Sequence, residues 1–387
     1  MYKDCERIQD EIVRIRRELH QIPEIGYDLP KTSAYVMGKL DEYGIVYDYD
    51  SEFCIIIGYI NKGKGHVIAL RSDMDALVIP EATGLEYASK HEGKMHACGH
   101  DAHMAMLLGA AKILSENRDK LNCEVRLIFQ PHEEGTKGAK KVVERNALDG
   151  VEAIFGTHIG TLMGTEVPSG KLVVFPGPMM ASSDRFKIVV KGVACHGSTP
   201  ERGIDPVLTA AHIVVGLQEL ISREFSALDN AVLSVCTING GLQSNAIPDH
   251  VELGGTTRAF SIEVREKLER RIEEIAHSIA SAYRCKIEYD YYKGPLPVVN
   301  EAKTCEYAIK CAKEVLGEEN VITDMGPIMV AEDFSVYQQY VPGTFMQLSS
   351  SNPEKGTDCQ HHSPVFNIDE DVLWKGAAVF VSLAENF

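Results

Sequence analysis

No run of apolar residues in this chain approaches the roughly 20 needed to cross a bilayer. The opening residues (Lys3, Asp4, Glu6, Arg7) lack the apolar core of a secretory signal, which points to a cytoplasmic location. Positive charge is also in short supply: 39 Lys and Arg stand against 56 Asp and Glu, a net charge of −17. A surface of that sign repels phosphate, which argues against nucleic acid and anionic membranes as partners. The ten cysteines include no CxxC pair and no small-scaffold spacing, so reduced thiols are expected rather than a disulfide framework. Internal repeats and low-complexity segments are absent. What remains is the ordinary composition of a globular protein, 44% hydrophobic and 25% charged over 387 residues. That length suits roughly two to three domains.

Apolar spacing predicts an α/β chain. Ile8, Ile12, Ile15 and Leu19 recur on one helical face. Phe53 to Ile60 and His66 to Leu70 flank the turn Asn61-Lys62-Gly63-Lys64-Gly65, which predicts a hairpin. Val125 to Gln130, Ala153 to Thr157 and Gly343 to Leu348 are short apolar runs, as buried strands should be. Polar residues cluster where these strands stop: Arg71-Ser72-Asp73-Met74-Asp75, Pro131-His132-Glu133-Glu134-Gly135, and His158. Open α/β sheets bind their ligands beyond the carboxyl ends of strands, and core packing does not explain acids and imidazoles delivered there by three strands.

Between about Asp184 and Pro295 the pattern changes. An alternating strand (Phe186, Ile188, Val190) leads to a helix from Pro206. Two strands follow, near Ala231 to Ile238 and His250 to Phe260. A helix carrying Leu268, Ile272, Ile275 and Ile279 then precedes a last strand, Cys285 to Tyr292. This β-α-β-β-α-β order predicts a ferredoxin-like domain over 184–295. It would interrupt a larger α/β domain formed by 1–183 and 296–387.

The densest chemistry lies in Met95-His96-Ala97-Cys98-Gly99-His100-Asp101-Ala102-His103, with three imidazoles, a thiol and a carboxylate in nine residues. A borderline-soft transition metal needs such a donor set. Candidate ligands are Cys98, His100, Glu134, His158 and a late histidine, His361 or His362. Taken singly each has a bland reading, as a buried thiol, a helix-start acid or a hydrogen-bonded core histidine. Five such residues at the strand ends of one fold favour a metal site.

The pieces Arg71-x-Asp73-Met74-Asp75-Ala76-Leu77, His96-Ala97-Cys98-Gly99-His100-Asp101-x-His103, His132-Glu133-Glu134-Gly135 and His362-Ser363-Pro364 resemble peptidase family M20. The likeness is to the branch holding bacterial aminoacylases, hippurate hydrolase and auxin-conjugate hydrolases, and it covers nearly the whole chain. It implies a zinc-exopeptidase-like mixed-sheet catalytic domain with an inserted ferredoxin-like dimerisation or lid domain, and hence a homodimer. It further implies two divalent metal ions on Cys98, His100, Glu134, His158 and His362, with Glu133 as catalytic base. Independent arithmetic agrees: five ligands give two metals three contacts each only if one bridges, and Cys98 is the bridging candidate. Zinc, cobalt or nickel suit these donors, with manganese possible from the resemblance. Asp73, Asp75, Asp101 and His103 are read as supporting groups.

In the inserted segment, His196 resembles the histidine that reaches a neighbouring subunit and holds the developing oxyanion. Asn245 and Arg258 resemble groups that fix a substrate carboxylate. Two departures from the family stand out: Ile159-Gly160 after His158, where a bulkier Pro-containing segment is usual, and Glu201, where His is common. The expected reaction is hydrolysis of N-acyl amino acids, small-molecule substrates with an acetyl or aroyl group. The alternatives are a dipeptidase or carboxypeptidase, an N-acetyl-diaminopimelate deacetylase, or a metal-dependent binding protein without catalysis.

Overall fold

The strands richest in apolar residues lie inside the larger sheet, away from its edges. In the computed structural model, which describes residues 1–387, every residue of Cys123–Gln130, Ala153–Gly160 and Gly343–Ser349 is buried. Strands buried on both faces read as continuous apolar runs because helices cover each side. The chain divides into two compact units, one comprising Met1–Met179, Val299–Ile328 and Asp333–Phe387, the other Met180–Val298 and Met329–Glu332.

The first unit holds an eight-stranded mixed sheet. Its order is Val46–Asp50, Ile55–Ile60, Cys123–Gln130, His66–Asp73, Ala153–Gly160, Gly343–Ser349, Leu172–Val173 and Val321–Ile322. The four strands from Cys123–Gln130 to Gly343–Ser349 are mutually parallel. A parallel neighbour requires a crossover, and helix His100–Glu116 supplies the one between His66–Asp73 and Cys123–Gln130. That helix is buried along most of its length and packs against Gln9–His20 and Leu373–Glu385. From Cys123–Gln130 the chain passes to the opposite side of His66–Asp73 to form Ala153–Gly160. The connection therefore reverses beyond the carboxyl end of His66–Asp73, where such sheets form a ligand crevice.

The hairpin expected from Phe53–Ile60 and His66–Leu70 does not form. Cys123–Gln130 lies between the two strands, so that Ile60 and Ile68 both pair with Val125 from opposite sides. All three strands are apolar enough to occupy a central position, and a short turn alone does not specify pairing. His66–Asp73 and Ala153–Gly160 also extend further than their apolar runs, taking Asp73 and His158 into the sheet.

The second unit is a four-stranded antiparallel sheet in the order Ala231–Asn239, His250–Ala259, Asp184–Lys191 and Lys286–Tyr292. Helices Pro206–Glu219 and Ile262–Ala282 contribute Ile213, Leu217, Leu268 and Ile272 to a core with Phe186, Ile188 and Val190. Both helices begin at a side-chain cap, Asp205 and Ser261 respectively. Asp184 is fully buried and accepts from Arg265 Nε (2.7 Å) and Arg265 Nη2 (2.6 Å), as well as from Tyr291 and the Gly294 N–H. No helix in either unit is long and apolar enough to cross a membrane.

Candidate metal centre

Four separate segments of the first unit, carrying Cys98 and His100, Glu133 and Glu134, His158, and His362, meet near the carboxyl end of the parallel strands. Gly99 adopts φ +85° and caps helix His100–Glu116, so the chain turns sharply between Cys98 and His100. One ligand atom from each of Cys98, His100 and His158 lies within 4.8 Å of the other two, and the same holds for Cys98, Glu134 and His362. Cys98 belongs to both groups. His100, Glu133 and Glu134 form a further group of the same compactness.

Hydrogen bonds orient the imidazoles. His100 Nδ1 donates to the Asp75 carbonyl at 2.7 Å and His158 Nδ1 to the Ile159 carbonyl at 2.9 Å. In its neutral form each ring therefore presents Nε2 as a lone pair, and His158 Nε2 lies 3.5 Å from Cys98 Sγ. His362 Nε2 stands 3.3 Å from Glu134 Oε1. His362 sits at φ +59°, a left-handed conformation that non-glycine residues adopt at a cost, often at functional sites.

The supporting residues separate into distinct roles. His103 Nδ1 donates to Asp73 Oδ1 at 2.6 Å while its Nε2 accepts the Ile159 N–H at 2.9 Å, so neither nitrogen is left for ligation. The Asp75 carboxylate accepts the backbone N–H groups of Glu133 (2.9 Å) and Glu134 (3.2 Å), clamping the acidic pair. Asp101 turns away from the donors and pairs with Arg16 at 2.8 Å and His20 at 2.7 Å, tying two helices together. His96 is buried, and desolvation pushes its pKa down to about 3. Asp333, which sequence reasoning did not single out, is buried and accepts from Gln130, Arg71 and the Ala139 N–H. It braces two neighbouring strands of the sheet, His66–Asp73 and Cys123–Gln130. Its only signal in the sequence is the acidic pair it forms with Glu332.

The donor set fits divalent cations. Glu134 Oε1 is buried and accepts no hydrogen bond, an expense that a cation removes. Burial pushes the Cys98 thiol up, and the nearby charges of Glu134, Glu133 and Asp73 push it further. Desolvation acts to lower His100, but Asp73, Asp75 and Glu134 outweigh it and raise its pKa to about 10. A pocket this negative attracts cations.

His196, Asn245 and Arg258 lie in the second unit. Cys195–His196 pairs with Ala246–Ile247 in a short ribbon, and the Gly197 N–H donates to the Asn245 carbonyl at 2.7 Å. His196 and Asn245 are thus neighbours. Arg258 projects from His250–Ala259, where it donates to Thr256 Oγ1 and the Thr257 carbonyl.

The profile of peptidase family M20/M25/M40 matches residues 69–386. The IAA-amino acid hydrolase ILR1-like 4 of Arabidopsis thaliana is 40% identical, over 98% of this chain and 86% of its own. The N-acetyl-L-cysteine deacetylase of Bacillus subtilis is 38% identical, over 96% of this chain and 86% of its own. The crystal structure of the Bacillus subtilis YXEP protein, described as a dinuclear metal binding peptidase from the M20 family, matches with a TM-score of 0.85. It is 34% identical over 98% of both chains. Fold, donor set and relatives define a metal-dependent amidohydrolase. The chain belongs to peptidase family M20/M25/M40.

Proposed function

We propose that this chain hydrolyses the amide bond of N-acyl amino acids, releasing a carboxylate and a free amino acid. Two divalent cations would be held by Cys98, His100, Glu134, His158 and His362. The observation that carries this reading is the membership of Cys98 in both donor groups. Five protein donors give two cations three contacts each only by sharing one, and a thiolate has lone pairs for two partners. Zinc, cobalt or nickel suits these donors, with manganese a further option. Bound cations supply Lewis acidity, polarising an amide carbonyl and acidifying water.

Adjacent carboxylates divide the remaining work. Glu134 ligates, while Glu133 accepts a proton from the attacking water and returns it to the amide nitrogen. The C–N bond then breaks, so that one water is consumed and one carboxylate and one amine form. In the second unit His196 Nδ1 accepts the Ser198 N–H at 3.1 Å, which supports an Nε2–H free to donate to an oxyanion. Asn245 and the Arg258 fork would hold the substrate carboxylate. We place His196 in the site of a second copy, in a homodimer formed through 184–295. Exposed Val207, Leu208 and Val215 on helix Pro206–Glu219 support a covered apolar face there. Ten free cysteines support a reducing, cytoplasmic location.

The test is amine release by the zinc-, manganese-, cobalt- or nickel-loaded protein from N-acetyl and N-aroyl amino acids, beside dipeptides. Release from the acyl amino acids is expected to dominate. Faster turnover of dipeptides would favour the peptidase alternative, and silence on both panels with metal bound would favour a binding protein. In the same assay Cys98→Ala should carry at least one metal fewer, whereas full two-metal content would reassign the bridge.

A further inference from the structure

His361 belongs to none of the donor groups, yet its ring packs, half-buried, beside Cys98. Its Nε2 accepts the Thr161 N–H at 3.0 Å, so the neutral ring carries its proton on Nδ1. That Nδ1 lies 3.7 Å from Cys98 Sγ, a distance suited to the large radius of sulfur. Phe366 packs tilted against the ring at 4.6 Å between centroids and His158 meets it edge-on at 5.1 Å, so its orientation is held from two sides. Gly160 provides the space. It adopts φ +136°, and a Cβ there would stand 2.1 Å from His361 Nε2. The Ile159-Gly160 step, a departure from the family pattern, is therefore what admits this ring.

We propose that His361 is a positioning residue that donates Nδ1–H to the Cys98 sulfur, fixing it between the two donor groups and drawing off part of its charge. The inference rests on the two-cation reading above. A thiolate that accepts a hydrogen bond donates less charge to its metals, which leaves them stronger Lewis acids. His362, one residue on, has the separate task of ligation.

Cobalt(II) reports on this directly, because the energy of the thiolate-to-cobalt charge-transfer band follows the energy of the sulfur lone pairs. His361→Phe keeps the ring and its packing but removes the N–H. The band should move to lower energy with two cobalt ions retained, and kcat should fall about 10-fold with KM little changed. In His361→Asn the amide nitrogen takes roughly the place of Nδ1, and the band should return toward its original position. An unmoved band in His361→Phe, with both cobalt ions bound, would overturn the proposal. Loss of a cobalt ion from a variant with the parent's circular dichroism would overturn it too, by making His361 a ligand. If the parent protein shows no charge-transfer band that Cys98→Ala removes, the thiolate-bridged site itself fails and the inference fails with it.

Discussion

Glu133 and Glu134 are adjacent in sequence but meet different surroundings. The Glu134 Oε1 atom is buried without a hydrogen bond and lies 3.9 Å from His100 Nε2 and 3.3 Å from His362 Nε2. Glu133 accepts from the Asp333 N–H at 3.4 Å, and the Asp75 carboxylate holds the backbone of both. Glu134 thus faces two imidazoles, while Glu133 is held by the backbone of Asp333. Glu133→Gln keeps the shape and an acceptor for the Asp333 N–H but removes the proposed base. It should retain its metal by elemental analysis while kcat falls by about 10²- to 10⁴-fold; near-normal turnover would place the base elsewhere. At this scale the donor types were legible in the sequence, because strand ends rich in acid and imidazole have few structural explanations. Direction was not legible. His361 and His362 are chemically identical neighbours, and only the left-handed turn at His362 sends one ring toward Glu134 while its neighbour packs on Cys98. Likewise His100 and Asp101 are successive helical residues, about 100° apart around the axis, so the ring joins the donors while the carboxylate turns to Arg16 and His20.

Among the elements, periodicity identified strands and helices better than it identified partners. The β-α-β-β-α-β order of the second unit could be read from apolar alternation and one-face helices, which are local patterns. The place of Cys123–Gln130 between Ile55–Ile60 and His66–Asp73 could not, because it depends on a contact across some 60 residues and three equally apolar strands. Buried ion pairs are similarly invisible in sequence. Asp184 and Arg265 are 81 positions apart, yet their two hydrogen bonds join the first strand of the second unit to its long helix. Removing one partner of a buried pair strands the other charge. Arg265→Ala should therefore destabilise the second unit by about 3–5 kcal/mol, read as a lower urea midpoint. A loss below about 1 kcal/mol would mean that Tyr291 and the Gly294 N–H suffice for Asp184.

For the whole molecule, the acidic balance evident from composition becomes specific at the metal centre, where protons and cations compete for the same atoms. In the metal-free protein burial and neighbouring acids keep the Cys98 thiol protonated, and Asp73, Asp75 and Glu134 overcome desolvation to hold His100 at about 10. Ligation through Cys98 and His100, as proposed, requires a thiolate and a neutral imidazole, so loading at pH 7 would expel both protons. The sign follows: each group is protonated when free and deprotonated when bound, so affinity rises with pH throughout the range below about 10, where His100 still carries its proton. Two protons released per chain correspond to about a 100-fold gain in overall affinity per pH unit. Titration calorimetry with zinc in buffers of different ionisation enthalpy measures that number directly. A value near two supports Cys98 and His100 as ligands that titrate on loading. A value near zero would mean that the thiol is already ionised or stays outside the coordination shell, and that the acids gathered around His100 do not hold a proton there.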